Sequence, residues 1–390
     1  MQKAGIYIHI PFCLSRCSYC DFATGMYNPA EADRYVAAVI QEISLWQEVD
    51  QPPAVDTIYF GGGTPSLLSP TQMGSILVAV KRRYLVNDDA EITMEMNPGS
   101  AGPPRRAATN FDSPIDVLHE FRIIGINRVS FGAQTFHNRE LARLGRSHTA
   151  EEARQTFRNL REAGFHNISF DLIAGLPGQS LEDWQHNVAA ALALRPEHLS
   201  FYLLEVHHGT PLAEHIKRGL QPAPDDDLAA KMYGLILDRA CAAGYEHYEI
   251  SNLSLPGFAS KHNTKYWTRG PYFGFGCSSH SFDGRRRRWS NERALAQYLD
   301  LVDRGISPIA ERITLDEDDA CAESIFLGLR LMRGISLRQY EERFCIDLLA
   351  QHPQEVSRFS EAGLIRIDGD VIRLTRSGAL LSNEVFSAFV

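Results

Sequence analysis

Six short runs rich in β-branched and aromatic residues recur through the first half of the chain. Each is followed by a glycine-, proline- or polar-rich turn and then by a longer helix-like stretch. The runs are GIYIHI (5–10), VDTIYF (55–60), EITMEM (91–96), NRVSFG (127–132), HNISFDLI (166–173) and HLSFYLL (198–204). Helical periodicity falls between them at about 30–48, 70–84, 114–124, 150–163 and 180–194. Strands that alternate with helices pack as a parallel sheet covered by crossover helices, so an α/β fold is expected. At 390 residues there is room for a barrel-like domain and an appendage.

The unusual residues cluster where such a fold binds ligands. FGGGTPS follows the second run, EMNPGS the third, GAQTF the fourth and DLIAGLPG the fifth. All lie at or just past the C-terminal ends of the strands, the ligand-binding face of parallel α/β folds. GSAGPPRRAATNFDSP (99–114) breaks the rhythm and reads as an inserted, extended surface loop.

After residue 205 the alternation fades into VHHGTPL, a helical stretch near 225–243 and an aromatic-rich loop region at 261–282. Beyond about 310 the chain reads as two amphipathic helices, a hairpin turning on Asp368-Gly369 and a final helix, a winged-helix-like α+β domain. The expected division is a core at 1–205, a barrel extension at 206–310 and a C-terminal domain at 311–390. A wing invites a nucleic-acid reading. The net charge of −9, the acidic LDEDD segment and the lack of a basic stripe favour packing on the barrel and no nucleic-acid partner. No run approaches the ~18 to 20 apolar residues of a spanning helix, and the N-terminus lacks a secretory apolar region, so a cytoplasmic protein is expected.

Cys13, Cys17 and Cys20 are spaced C-x3-C-x2-C directly after the first strand, whereas Cys241, Cys277, Cys321 and Cys345 are scattered. An odd number of cysteines in a reducing compartment argues against disulfides. Three thiolates in one loop suit zinc or an iron–sulfur cluster. Zinc wants a fourth ligand, and His9, the one nearby candidate, alternates within the strand; a Cys17–Cys20 redox pair would leave Cys13 unexplained. A [4Fe–4S] cluster on three cysteines keeps one iron open to a ligand.

At this point the chain resembles the radical S-adenosylmethionine (SAM) superfamily, whose C-x3-C-x2-C signature carries an aromatic residue, here Tyr19, before the last cysteine. The resemblance implies a partial (β/α)6 TIM-like barrel, with SAM chelating the open iron through its amine and carboxylate. A reduced cluster then cleaves SAM to a deoxyadenosyl radical. Gly61, Gly62 and Gly63, followed by Thr64 and Pro65, resemble the superfamily's SAM-binding glycine motif; backbone stripped of side chains permits close approach. Glu95, Gln134, Arg146 and Asp171 supply hydrogen-bonding and charged groups on neighbouring strand ends or the loops after them.

YIHIPFC, FGGGTPS, GAQTF, the Gln134–Arg146–Asp171 spacing and DLIAGLPGQ narrow the resemblance to the family of oxygen-independent coproporphyrinogen III dehydrogenase and the heme chaperone HemW, over nearly the whole chain. It implies SAM contacts from Tyr7, Tyr19, Gly62, Gly63, Thr64, Glu95, Gln134, Arg146 and Asp171. The dehydrogenase has a fourth cysteine two residues after the third, and a substantial segment before the first. Here the cysteine position is Phe22, and Cys13 comes almost at once, which favours the HemW branch.

KHNTKYW, with His262, Asn263, Tyr266 and Trp267, resembles the HNxxYW motif of that branch. Imidazole is a common axial ligand of heme iron, and aromatic rings cover porphyrin faces. Cys277 and His280 lie nearby without an assigned role, and RRRRW (285–289) reads as a solvated hairpin face. The branch implies heme as cargo, passed to heme-less apoproteins such as respiratory enzymes, with no catalytic residue assigned. Peripheral membrane association through the acceptor and a homodimer are further expectations. The competing enzyme readings are oxidative decarboxylation of coproporphyrinogen III and radical SAM chemistry on an unrelated substrate.

Overall fold

The six runs form strands β1 Ala4–Ile10, β2 Val55–Gly62, β3 Val86–Met96, β4 Arg128–Gln134, β5 Ile168–Ala174 and β6 His198–Leu203. The computed structural model describes residues 2–45, 48–49, 51–101 and 113–389. The six strands pair in parallel and in chain order. Their near-continuous burial explains why they read as apolar runs and not as alternations: helices cover one face and the barrel interior the other.

The crossovers are helices α1 Pro29–Leu45, α2 Pro70–Arg83, α3 Pro114–Ile123, α4 Ala150–Glu162 and α5 Leu181–Leu194. Four of them start at reciprocal capping boxes, with Ser69, Ser113, Thr149 and Ser180 at the N-cap and Gln72, Asp116, Glu152 and Asp183 three residues on. Each box satisfies backbone donors that a helix start otherwise leaves unpaired. Behind the sheet, the Phe170 ring meets Phe131 edge-on at 4.5 Å and Phe157 of α4 at 5.2 Å. Of the expected loop at 99–114, residues 102–112 lie outside the described residues.

Beyond β6 and the helix α6 Asp226–Ala242, the chain extends both edges of the sheet. Strand β8 Asn252–Ser254 adds antiparallel to β6, and β7 Glu246–Glu249 pairs antiparallel with β8 at the sheet edge. The segment expected to be an aromatic loop is instead a helix, α7 Lys261–Trp267, followed by strand β9 Tyr272–Phe275. Ser260 caps α7, and β9 pairs in parallel with β1 on the side away from β2. The glycines and prolines around YFGF mask its strand character, and the parallel partner that draws it into the sheet, β1, lies nearly 270 residues earlier. Strands β10 His280–Phe282, β11 Arg287–Asn291 and β12 Ile309–Thr314 continue antiparallel, giving a twelve-stranded order β12-β11-β10-β9-β1-β2-β3-β4-β5-β6-β8-β7. Because β12 is one strand through Thr314, a boundary at 311 would cut it.

The remaining chain holds helix α8 Glu317–Leu329, a three-stranded sheet of Ile335–Ser336, Val371–Leu374 and Ile365–Asp368, and short helices ending at Phe386. It is tied to the barrel by charge. Glu323 of α8 pairs with Arg269 at 3.0 Å and with Arg288 at 2.7 Å. Arg288 also stacks 4.2 Å over Phe282, and Trp289 is buried, so the RRRRW hairpin is not wholly solvated. No helix among the described residues is long and apolar enough to cross a membrane.

Candidate functional site

The cysteine loop begins where β1 ends, and buried contacts hold its start. Phe12 packs edge-on against Tyr27 and Tyr35, and Phe12–Cys13 pairs with Gly25–Met26. Farther along, the backbone N–H of Ser18 donates to the Leu144 carbonyl at 3.0 Å, and the Ser18 carbonyl accepts from the Leu212 N–H at 2.9 Å. The loop is therefore clamped between the segments that follow β4 and β6.

The glycine run packs against the same loop. The Gly63 and Thr64 N–H groups donate to the Ile10 and Phe12 carbonyls. A Cβ on Gly63 would lie 2.6 Å from the Phe12 carbonyl oxygen, and one on Gly62, at φ +109°, 2.4 Å from the His9 ring. The space these glycines leave is filled by protein: they let the cysteine loop sit down on β2.

Around the three thiols stands a connected set of polar groups. Thr64 Oγ1 donates to Cys13 Sγ at 3.7 Å, and Arg146 Nη1 to Cys17 Sγ at 3.4 Å. Arg146 Nη2 also donates to Asn97 Oδ1 at 2.6 Å and to the Gly132 carbonyl at 2.7 Å. Asn97 in turn donates to Thr64 at 2.9 Å, closing a ring of contacts. Burial pushes the Cys13 and Cys20 thiols up; the Thr64 hydrogen bond counters it at Cys13, and a backbone hydrogen bond from Phe22 does so at Cys20.

Glu95 lies deeper. Its carboxylate accepts from Tyr59 Oη at 2.7 Å and from the Gly62 N–H at 3.0 Å. Burial raises its pKa to about 7. Asp171, which accepts from Ser130 at 3.3 Å, is also raised by burial. Gln134 has a left-handed backbone, φ 62°, at a register irregularity between β4 and β5. A Cβ on Gly132 would lie 2.3 Å from the Gln134 amide and 3.1 Å from Arg146, so glycine there makes room for both.

These groups open onto a cavity of about 550 Å³ that runs from the cysteine loop to the last helices of the C-terminal domain. Its wall includes Cys13, Cys17, Cys20, Tyr19, Gly62, Gly63, Glu95, Gln134, Arg146 and Asp171. Two expected residues stand behind the wall: Tyr7, hydrogen-bonded to His9 Nδ1 at 3.1 Å, and Thr64. Asn97, Ser130 and Gly132 line the cavity and were not singled out by sequence. Asn97 lay within the strand-end motif EMNPGS, so the position was visible although the residue was not.

The structure does not bring His262, Asn263, Tyr266 or Trp267 to this cavity. Helix α7 closes the opposite end of the barrel, where the Lys261 and His262 N–H groups donate to Glu91. His262 is 1% exposed, and both ring nitrogens are engaged, with Thr57 Oγ1 at 2.8 Å and Tyr266 Oη at 2.9 Å. Burial lowers its pKa to about 3, with Lys265 adding to the effect. Trp267 lies under the Arg330 guanidinium at 4.3 Å. Cys277 is likewise buried, accepting from Tyr35 Oη at 3.7 Å.

An open parallel sheet with three cysteines in the loop after its first strand defines the class. Residues 7–190 match the radical SAM superfamily model, and residues 315–381 match the HemN C-terminal domain. The chain is 35% identical to the heme chaperone HemW of Bacillus subtilis (strain 168) over 385 residues, covering 98% of each protein. It is 35% identical to that of Mycobacterium tuberculosis (strain ATCC 25618 / H37Rv), covering 98% of this chain and 94% of the other. The bovine mitochondrial radical S-adenosyl methionine domain-containing protein 1 is 32% identical, covering 99% and 87%. The chain belongs to the HemW family. In fold it is similar to the radical SAM enzyme coproporphyrinogen III oxidase (HemN) of Escherichia coli, at TM-score 0.83 and 23% identity, over 100% of this chain and 90% of that one.

Membership in the superfamily implies a [4Fe–4S] cluster and SAM, and the donor set fits both. Among the described residues no three His, Cys, Asp or Glu side chains converge on a single metal-ion position. The irons of a cubane do not need such convergence, since each takes one thiolate at a separate corner. For SAM, the cavity offers a guanidinium, buried carboxyls and a glycine-rich strand end beside the thiols.

Proposed function

We propose that the protein binds heme and delivers it to heme-less acceptor proteins, respiratory enzymes among them, while holding a [4Fe–4S] cluster on Cys13, Cys17 and Cys20. The observation that carries this reading is the end-to-end similarity to proteins named heme chaperone. Phe22, at the position where the dehydrogenase family carries its fourth cysteine, supports it against the decarboxylase alternative.

SAM occupies the inner cavity in this proposal. Tyr19, Gly62, Gly63, Glu95, Gln134, Arg146 and Asp171 contact it, and Tyr7 and Thr64 hold the wall from behind. Cys13, Cys17 and Cys20 would hold the cluster, which, once reduced by an external electron donor, would supply one-electron reducing power towards bound SAM. The chain's own residues orient and shield. Arg146 spans a thiol, Asn97 and the Gly132 carbonyl, so one side chain sets the distance between the cysteine loop and two strand ends. Glu95 is protonated for part of the time near neutrality and exchanges hydrogen bonds with a diol or an ammonium according to its state.

The barrel core at 1–205, its extension and the C-terminal domain act as one unit around the cavity. Seven free cysteines, three of them needed as thiolates, suit the cytoplasm. Any contact with membranes runs through the acceptor, and a homodimer is the proposed resting form. The test is anaerobic reconstitution followed by heme titration and transfer to an apo-acceptor. Four irons per chain, a saturable Soret band and acceptor loading are expected. Conversion of coproporphyrinogen III to protoporphyrinogen at catalytic rates with SAM and reductant would reject the chaperone reading.

A further inference from the structure

We infer that Arg128 is a positioning residue for the cationic ligand of the cavity: a guanidinium one layer below Glu95 and Asp171 that holds both side chains in the charged form the ligand needs. This inference rests on the SAM reading above and adds to it a residue that does not line the cavity.

The barrel interior is polar where a barrel core is ordinarily filled by branched apolar side chains. Thr57, Thr93, Ser130, Ser169, His198 and Ser200 are buried on successive strands. Within this interior the register fixes Arg128. Ser130 stands opposite Glu95 of β3, donates to Asp171 and lines the cavity. Arg128 lies two residues earlier on the same face of β4, opposite Thr93, and so ~6.6 Å deeper along the strand. Phe131, of the other parity, turns outward to meet Phe170 behind the sheet.

Arg128 is 1% exposed, yet its Nε and Nη1 have no hydrogen-bond partner and it joins no ion pair among the described residues. Arg269, buried to a similar degree, is spent on Glu323 and on the Ala320 and Arg285 carbonyls. A buried cation left without a partner is strongly destabilising, so a guanidinium kept for stability is paired as Arg269 is. Arg128 acts through space instead.

Its field falls on the two carboxyls. Besides one another, the charged or titratable groups facing them are Tyr7 of β1, Tyr59 of β2, Arg128 of β4, Tyr202 of β6, Tyr266 of α7 and Arg146 from the loop after β4. Only the two arginines are cations, and Arg146 is already committed to Cys17, Asn97 and the Gly132 carbonyl. Burial pushes both carboxyls towards the neutral acid, and Arg128 opposes that push at each. The histidines around Arg128 do not replace it, since burial lowers His198 and His262 and the guanidinium adds to the effect. A cation in the cavity meets the carboxylates that line it, with Arg128 behind them, so attraction at the shorter distance outweighs repulsion at the longer.

The experiment replaces Arg128 by Met, which is similar in length and uncharged, in full-length protein loaded with its cluster anaerobically. Infrared titration follows the protonated-carboxyl band against pH, with Glu95→Gln and Asp171→Asn assigning its components. Arg128→Met should move the midpoint up by at least about one pH unit. Its melting temperature should match or exceed that of wild type, because no partner is stranded. SAM binding, measured by calorimetry, should weaken roughly fivefold or more at neutral pH and converge with wild type in alkaline buffer. A fall in melting temperature, an unmoved midpoint, or a SAM affinity lost equally at every pH overturns the role of Arg128 and leaves the SAM reading standing. Failure of wild type to bind SAM at any pH overturns the SAM reading and this inference with it.

Discussion

A methyl group on Gly63 would meet three backbone atoms, the Phe12 carbonyl oxygen at 2.6 Å and the Ile10 oxygen and Phe12 nitrogen at 2.9 Å. Backbone cannot yield as a side chain can, so Gly63→Ala should push the cysteine loop off β2. The expected result is a loss of iron after reconstitution and ~1–3 kcal/mol of stability. Gly25→Ala, where a Cβ meets nothing within 4 Å, should keep its full iron complement. A second residue, Glu42, reports through pH. It accepts from the Gly276 N–H at 2.8 Å, Tyr298 at 2.7 Å and Asn291 at 2.5 Å, yet burial raises its pKa to about 7. A raised carboxyl pKa means that the folded state holds the proton more tightly than the unfolded chain. The stabilisation is full below the ordinary value of 4.5 and lost as pH rises through about 7. Over that window wild type should lose up to about 3 kcal/mol through this group. Glu42→Gln, though weakened by presenting an amide to Asn291, should lack that slope in denaturant melts across pH.

Helix α7 is the element whose position departs most from its expected place. Its motif reads as a ligand loop, and the fold uses it as a floor. Glu91 caps it, Lys265 pairs with Asp56 at 2.6 Å, and His262 bridges Thr57 and Tyr266. The floor also reaches the site: the Tyr59 ring lies 5.1 Å from His262, and its hydroxyl donates to Glu95. His262→Ala removes two buried hydrogen bonds and leaves a void, so unfolding should become easier by ~2–4 kcal/mol. An unchanged denaturation midpoint would show that the floor does not depend on this residue. The crossover helices behave differently. Their N-cap serine or threonine and the polar residue three positions later sit together in sequence, which is why α2 to α5 were legible within one or two residues.

For the whole molecule, one side of the cavity wall, Leu380 and Asn383 among it, comes from the C-terminal domain, and Glu323 is a main tie of that domain to the barrel. It faces Arg269, whose side chain is 1% exposed, and Arg288. Glu323→Ala would strand a buried cation and should cost ~3–5 kcal/mol. Replacing Arg269 by Met in the same chain should recover part of that loss, and proteolysis between β12 and α8 should track both variants. Arg376 of the C-terminal domain adds a second tie by donating to the Gly234 carbonyl of α6 at 2.6 Å.

By itself the sequence determined what is local: the strand–helix alternation, the capping boxes, the three thiols after β1 and the polar residues at successive strand ends. These follow from periodicity and from neighbours within a few positions, which any folded context preserves. Only the tertiary structure decided which side of the barrel each motif faces. Asn97 matters because Arg146 reaches it from 49 residues away, and β9 is a strand because β1 offers an unpaired edge. His262 reads as a ligand within its motif, and contacts distant in the chain, Thr57 among them, bury it instead.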